Sequence, residues 1–235
     1  MIDGKRVCAV VLAAGRGKRM RSDVPKQFME LGGRPVVYYS LRAFEDSAVD
    51  DMILVTGSDD IEFCRREIVQ RYHFTKVREI VSGGAERFDS VSNGLAACVN
   101  CGLVLIHDGA RPMISAGLIN ANIECAARCG ACVTAVPSKD TVKIADEEGF
   151  VRETPERSRV WIIQTPQSFH YDVIRKAYDE RAARGDSAVT DDASVVEKYL
   201  HMKVKLLEGD YRNIKITTPE DIRIAATMLA ERDQR

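Results

Sequence analysis

Short apolar runs alternate with amphipathic stretches along the first half of the chain. Residues 8–12, 52–55, 77–81, 103–106 and 131–136 are short, rich in β-branched side chains and almost free of charge. That is the pattern of strands buried on both faces. Between them, residues 36–44, 59–72, 86–99 and 115–129 carry apolar side chains at helical spacing. Repeated β-α units predict an α/β fold: one doubly wound, mostly parallel, Rossmann-like sheet with helices on both faces. Right-handed crossovers would bring the strand C-termini to one edge, where ligands bind.

The rhythm breaks after Val136. Residues 141–145 and 150–153 flank the turn-rich tetrad Asp146-Glu147-Glu148-Gly149, which reads as a β-hairpin. The hairpin is too polar to hold a core, so residues 138–157 are expected to project as an inserted arm. A strand at 160–163, helices at 171–184 and 192–200 and a strand at 204–207 follow. The last helix opens at Thr218-Pro219-Glu220-Asp221, with a capping hydroxyl, a proline and two acids in its first turn. With no repeat or linker, residues 1–235 read as a single domain carrying one arm.

Charge removes some functions. The 34 Lys+Arg nearly cancel the 35 Asp+Glu, leaving a net charge of −1, so the basic excess of a nucleic-acid binder is missing. No apolar run approaches the roughly 20 residues of a membrane span. Lys5-Arg6 before an apolar run resembles the start of a signal peptide, but Arg16, Lys18, Arg19 and Arg21 stand where a cleavage site would be. A buried first strand and a cytoplasmic location are the expectation. Seven cysteines, an odd number, fit a reducing compartment. Cys98-x2-Cys101 and Cys129-x2-Cys132 have the spacing of zinc knuckles, yet both straddle helix ends leading into apolar strands, so they read as small buried thiols.

The chemistry concentrates at strand ends. The first βα junction, Leu12-Ala13-Ala14-Gly15-Arg16-Gly17-Lys18-Arg19-Met20, is followed closely by Pro25-Lys26-Gln27. Small residues let the backbone approach a ligand, and exposed amides face phosphate oxygens. The loop lacks both the Walker A pattern and the third glycine of the dinucleotide fingerprint. Its cations suit a triphosphate better than a pyrophosphate. Gly83-Gly84 falls between a strand and a helix, at the same edge. Asp108 ends an apolar strand, a usual place for a carboxylate that touches a metal-phosphate complex. Arg111 could clamp a phosphate. His107 reads as structural, because a phosphate monoester nucleophile needs no base near neutral pH.

Together these segments resemble the nucleotidyltransferases that make CDP-alcohols, above all the 2-C-methyl-D-erythritol 4-phosphate cytidylyltransferase family. The matching segments are L-A-A-G-x-G-x-R-M with P-K-Q, Gly83-Gly84-Ala85-Glu86-Arg87 with Ser90-Val91, and His107-Asp108-Gly109-Ala110-Arg111-Pro112. They continue with Lys139-Asp140-Thr141, the run from Arg157 through Trp161 to Gln167, Thr190-Asp191 and Asn213-Ile214-Lys215. The resemblance covers essentially the whole chain.

It implies an enzyme that joins CTP to a polyol phosphate and releases pyrophosphate, with Mg²⁺ as the divalent cation. Arg19, Lys26 and Lys215 would be catalytic, neutralising the triphosphate. Ala13, Ala14, Gly15, Gly17, Gly83, Gly84 and Ser90 would hold the nucleotide, and Asp108 the metal. Arg111, Thr141, Arg157 and Thr190 would bind the second substrate, Thr141 and Arg157 reaching it from the partner of a homodimer formed through the arm. Trp161 reads as core filling. Three alternatives stand beside this reading: a ribitol 5-phosphate cytidylyltransferase, a non-catalytic nucleotide-binding regulator and a zinc-dependent interaction module. Leu12 to Gly15 and Trp161 favour the erythritol branch over the first. The joint presence of Arg19, Lys26, Asp108 and Lys215 speaks against the second, and only the two Cys pairs support the third.

Overall fold

The computed structural model describes residues 4–15, 20, 24–184 and 189–233. Strand β1 (Arg6–Ala13) shows why the sheet sits at the centre. Val7, Ala9, Val11 and Ala13 enter one apolar layer, while Cys8 and Val10 enter the other. The strand period of two thus supplies both faces with core. A short hairpin of β2 (Glu30–Leu31) and β3 (Arg34–Pro35) leads into α1 (Val36–Glu45). Next come β4 (Asp51–Thr56) and α2 (Ile61–Phe63), which widens into π geometry over Cys64–Gln70. The helix expected at 59–72 is therefore an irregular element, its amides reaching five residues back, as from Arg71 N to Arg66 O at 3.1 Å.

Strand β5 (Val77–Ser82), α3 (Arg87–Ala97), β6 (Cys101–Asp108), α4 (Ala116–Cys129) and β7 (Ala131–Pro137) follow as expected. Local chemistry sets their limits. Glu86 and Asp89 form a reciprocal capping box at the start of α3. The Ser115 hydroxyl caps α4, and Gly130 ends it in the left-handed region, at φ 77°. The hairpin β8 (Ile144–Ala145) and β9 (Val151–Glu153) is present, with shorter strands than the pattern suggested. Asp146 fastens its turn by accepting the amides of Glu148 and Phe150.

The chain closes with β10 (Trp161–His170), α5 (Tyr171–Arg184), α6 (Asp192–Leu200), β11 (Lys205–Glu208) and α7 (Pro219–Asp233). The seven-stranded sheet has the order β11-β7-β10-β6-β1-β4-β5. All neighbours are parallel except β10, which runs antiparallel to β6 and β7. The expected strand at 160–163 is only the start of β10. Its continuation is buried but polar at Gln164, Thr165, Gln167 and Ser168, which breaks the apolar run. Trp161 is half-buried rather than core. At α7 it is the Asp221 carboxylate that accepts the Thr217 and Thr218 amides, each at 2.8 Å.

Helices α1, α4 and α7 cover one face of the sheet, and α3, α5 and α6 the other. Among the described residues no helix is long and apolar enough to cross a membrane. Six of the seven cysteines are buried as expected; Cys129, on the last turn of α4, is exposed instead.

Candidate active site

At the C-terminal edge of β1 and β6, beside the β5–α3 turn, lies a cavity of about 580 Å³. Leu12, Ala13, Ala14 and Gly15 form one wall, Gly84 to Arg87 with Ser90 another, and Asp108, Ala110, Lys26, Gln27 and Lys215 the rest. Backbone ties hold these segments together. Gly109 N donates to Leu12 O and Ile216 N to Ala110 O, both at 2.8 Å. The buried Gln27 amide donates to Ala13 O, and Lys26 Nζ to Ile216 O at 2.8 Å.

The two glycines after β5 are required by contact rather than by backbone angle. A Cβ at Gly83 would lie 2.6 Å from Ala14 Cβ and 2.7 Å from Ser90 Oγ, and one at Gly84 would overlap Asp89. Ser90 Oγ accepts the Gly84 amide and donates to Glu86 O, both at 3.1 Å. Ser90 therefore shapes the turn whose backbone lines the cavity.

Charge is concentrated at Asp108, the last residue of β6. Lys215 Nζ stands 2.7 Å from its Oδ2 and Arg87 Nε 3.6 Å from its Oδ1. Burial by itself would raise its pKa. The cations of Arg87, Lys215 and Arg111 outweigh burial and hold the carboxyl well below the usual carboxylate range. Arg87 is fixed from behind by both oxygens of the buried Asp192, at 2.7 and 2.8 Å, which also accepts from Tyr178 Oη. Burial would lower the Arg87 pKa; Asp192 and Asp108 reverse that and raise it.

Arg87 is the charged cavity residue, held on Asp108, to which sequence reasoning gave no role. A signal existed: a cation in the first turn of α3 opposes the helix dipole, so it implies an acidic partner elsewhere. Lys215 sits in the irregular stretch between β11 and α7, not just after a strand.

His107 is wholly buried. Its Nδ1 lies 3.0 Å from Thr165 Oγ1, and burial pushes its pKa down to about 3. The imidazole is neutral and turned into the core. Arg111 is also nearly buried, its Nη1 donating to Asn213 O at 2.7 Å, and burial lowers its pKa. Arg111 braces the strand end and does not line the cavity. Thr141, Arg157 and Thr190 are exposed, and none of them lines it either. Gly17 and Arg19 lie outside the described residues.

The geometry thus unites Ala13, Ala14, Gly15, Lys26, Gly84, Ser90, Asp108 and Lys215, with Gly83 directly behind. Two cations on one ionised carboxylate, with Lys26 lining the same cavity beside exposed backbone, can receive a polyphosphate. Asp108 fits the monodentate role that Mg²⁺ asks of a protein when phosphates supply its other ligands.

Known proteins settle the family. The model of the 2-C-methyl-D-erythritol 4-phosphate cytidylyltransferase family matches residues 7–231. The chain belongs to that family.

Among its relatives, the 2-C-methyl-D-erythritol 4-phosphate cytidylyltransferase of Lachnospira eligens is 52% identical over 223 residues, covering 94% of this chain and 98% of its own. That of Lachnoclostridium phytofermentans is 48% identical over 227 residues, covering 97% of each. A crystal structure of 4-diphosphocytidyl-2C-methyl-D-erythritol synthase from Anaerococcus prevotii superposes with a TM-score of 0.86 at 39% identity, covering 97% of this chain and 98% of that one. The cytidylyltransferase from Thermus thermophilus gives 0.76 at 31%, covering 95% and 98%. As a member of this cytidylyltransferase family, the chain is a nucleotidyltransferase, on the erythritol rather than the ribitol branch.

Proposed function

We propose that the cavity binds CTP and transfers its cytidylyl group to 2-C-methyl-D-erythritol 4-phosphate, giving 4-diphosphocytidyl-2-C-methyl-D-erythritol and pyrophosphate. The observation that carries this is the placing of Lys215 and Arg87 on ionised Asp108, with Lys26 lining the same cavity, at the mouth of the glycine turns. An oxygen of the substrate phosphate attacks the α-phosphorus in line, and the bond to the bridging oxygen breaks so that pyrophosphate leaves with the electron pair. The protein's task is then positioning and charge neutralisation. Lys26 and Lys215 supply two of the charges, and Arg19 is assigned a third on the resemblance. No residue need take a proton from an ionised monoester, which agrees with the burial of His107.

Asp108 would hold Mg²⁺ together with the triphosphate. The ion would add positive charge where the leaving group gains negative charge. The main-chain groups of Ala13, Ala14, Gly83 and Gly84 would frame the nucleoside, with Ser90 keeping the turn in shape.

We also propose that residues 1–235 form one catalytic unit, that it works in the cytoplasm, and that residues 138–157 make it a homodimer. Phe150 and Val151 on the hairpin, and Ile162 and Ile163 at the start of β10, are exposed apolar side chains that a second copy would cover. Thr141 and Arg157 would then serve the partner's site, and Thr190 its own.

The test is pyrophosphate release from CTP with 2-C-methyl-D-erythritol 4-phosphate, ribitol 5-phosphate or D-erythritol 4-phosphate. Preference for the methylerythritol substrate is expected. Preference for ribitol 5-phosphate, or no turnover with any of them, would overturn the reading.

A further inference from the structure

The turn that joins α3 to β6 brings the Cys98-x2-Cys101 pair against a third thiol, Cys8, that the sequence spacing did not connect to it. Cys98 ends α3 and Cys101 begins β6. Between them Asn100 has a left-handed backbone, φ 51°, and its carbonyl accepts the Arg6 amide at 2.9 Å. That bond docks the turn on the start of β1, where Cys8 points to the same side of the sheet. The three Sγ atoms all lie within 4.8 Å of one another. Among the described residues no other group of three metal-ligating side chains converges in this way.

We propose that Cys8, Cys98 and Cys101 form a binding site for a soft, three-coordinate ion, and that trivalent arsenic, held as a neutral tris-thiolate, is the species that suits it. As(III) is pyramidal, and three bonds of about 2.3 Å to it bring the sulfurs to roughly 3.5 Å from one another. Small rotamer adjustments therefore close the present spacing. Structural zinc almost always takes four ligands. The cluster offers three, and the nearby Asp51 carboxylate is engaged by Arg6 and Arg78.

Charge decides between soft ions. Cys8, Cys98 and Cys101 are all buried, and a buried net charge without a counterion is costly. Three thiolates on a monovalent ion leave two negative charges, whereas three on As(III) leave none. Binding needs no oxidant. Each S–As bond forms as one As–O bond of arsenous acid breaks, and each thiol proton leaves with the hydroxide as water, three waters in all. The thiols of Cys98 and Cys101, now donating to Gly94 O and Leu103 O, give up those weak bonds. Access is short, because Val99 and Asn100 are exposed directly above the cluster.

The probe is arsenite, added anaerobically to the full chain in a phosphine reductant and read by native mass spectrometry. The wild type should gain one arsenic less three hydrogens, and its melting temperature should rise, since the folded chain holds the three thiols together and binds more tightly than the unfolded one. Cys8→Ser, Cys98→Ser and Cys101→Ser should each lose that adduct or show arsenic still carrying a hydroxyl. A Cys129→Ser/Cys132→Ser chain should bind like wild type. An unmodified wild type overturns the site without any mutant needing to fold. So does an intact three-thiol adduct in the folded Cys98→Ser chain, or its loss in the Cys129→Ser/Cys132→Ser chain. Tight stoichiometric zinc at these thiols would overturn the three-coordinate assignment.

Discussion

Lys215 is held 2.7 Å from Asp108 and Lys26 is tied to the carbonyl of Ile216, so both cations are pre-placed before a nucleotide arrives. Charges fixed in advance stabilise a transition state without reorganisation, and losing one such contact typically costs about 10²-fold or more in turnover. Lys26→Ala and Lys215→Ala are expected to lower kcat by at least that factor while changing the KM for the polyol phosphate much less. Steady-state kinetics decide, and near-wild-type turnover in either variant would remove that lysine from the mechanism. His107 makes a different prediction, about stability. Its pKa falls from 6.5 to about 3 on folding. Between these values the unfolded chain therefore binds a proton that the native chain does not. Stability must then drop as pH falls through this window, by up to about 1.4 kcal/mol per pH unit from this one group. Asp108, with its pKa held low, adds a further loss as pH falls below the unfolded carboxylate value of about 4. Melting temperatures from pH 7 to pH 4 should decline less steeply in His107→Gln than in the wild type; parallel curves would show that His107 is not the titrating group.

At the level of elements, the edge that binds ligand depends on one tight approach. The Gly83 backbone packs against Ala14 and Ser90, and a methyl there would sit 2.6 Å from a neighbouring carbon. Overpacking of this kind costs about 1–3 kcal/mol, and here it would push apart the two walls of the cavity. Gly83→Ala should raise the KM for CTP by about tenfold or more, since 1.4 kcal/mol is a factor of ten, while the fold is retained. An unchanged KM would show that the walls do not meet on the nucleotide. The same junction explains what the sequence could disclose. Strands β1, β4 and β6 were legible because both faces are buried and their central positions are therefore apolar. Helices α5 and α6 were legible to the residue, having clear limits. Strand β10 was half hidden, because Gln164, Thr165, Gln167 and Ser168 spend their polarity on partners that only the fold supplies, such as Asn213, Asp108, Asp191 and Asn122. Arg87 was passed over for the same reason: its partner Asp192 lies 105 residues away. The motif residues could be placed at one edge from sequence, whereas long-range polar pairs leave no periodic trace. The convergence of Cys8 on the Cys98 turn was equally invisible.

For the whole molecule, the question is whether one chain makes one site. The cavity holds most of the described residues assigned to the nucleotide, but Thr141 and Arg157 stand exposed on the arm and contribute nothing to its walls. The hairpin pairs only over Ile144–Ala145 and Val151–Glu153 and is exposed along most of its length. Two-stranded hairpins are marginal in water by themselves. Its exposed Phe150 and Val151 would gain most from a second copy, and a two-fold pair would let each arm reach the other's cavity. The consequence is complementation. Lys26→Ala damages the cavity and Arg157→Ala damages the arm, so each homodimer should be nearly inactive. In a mixed dimer, the Lys26→Ala chain lends its intact arm to the intact cavity of its partner. The opposite site carries both lesions. Half of the sites in every mixed dimer should therefore work, and random exchange of equal amounts makes half of all dimers mixed. About a quarter of wild-type activity is then the ceiling for the mixture. Differently tagged chains, purified in tandem, would isolate the mixed species and establish exchange independently of turnover. With exchange established, recovered activity places Arg157 across the interface. A mixed dimer as inactive as its parents would mean that each site is built from a single chain and that the arm does not feed catalysis.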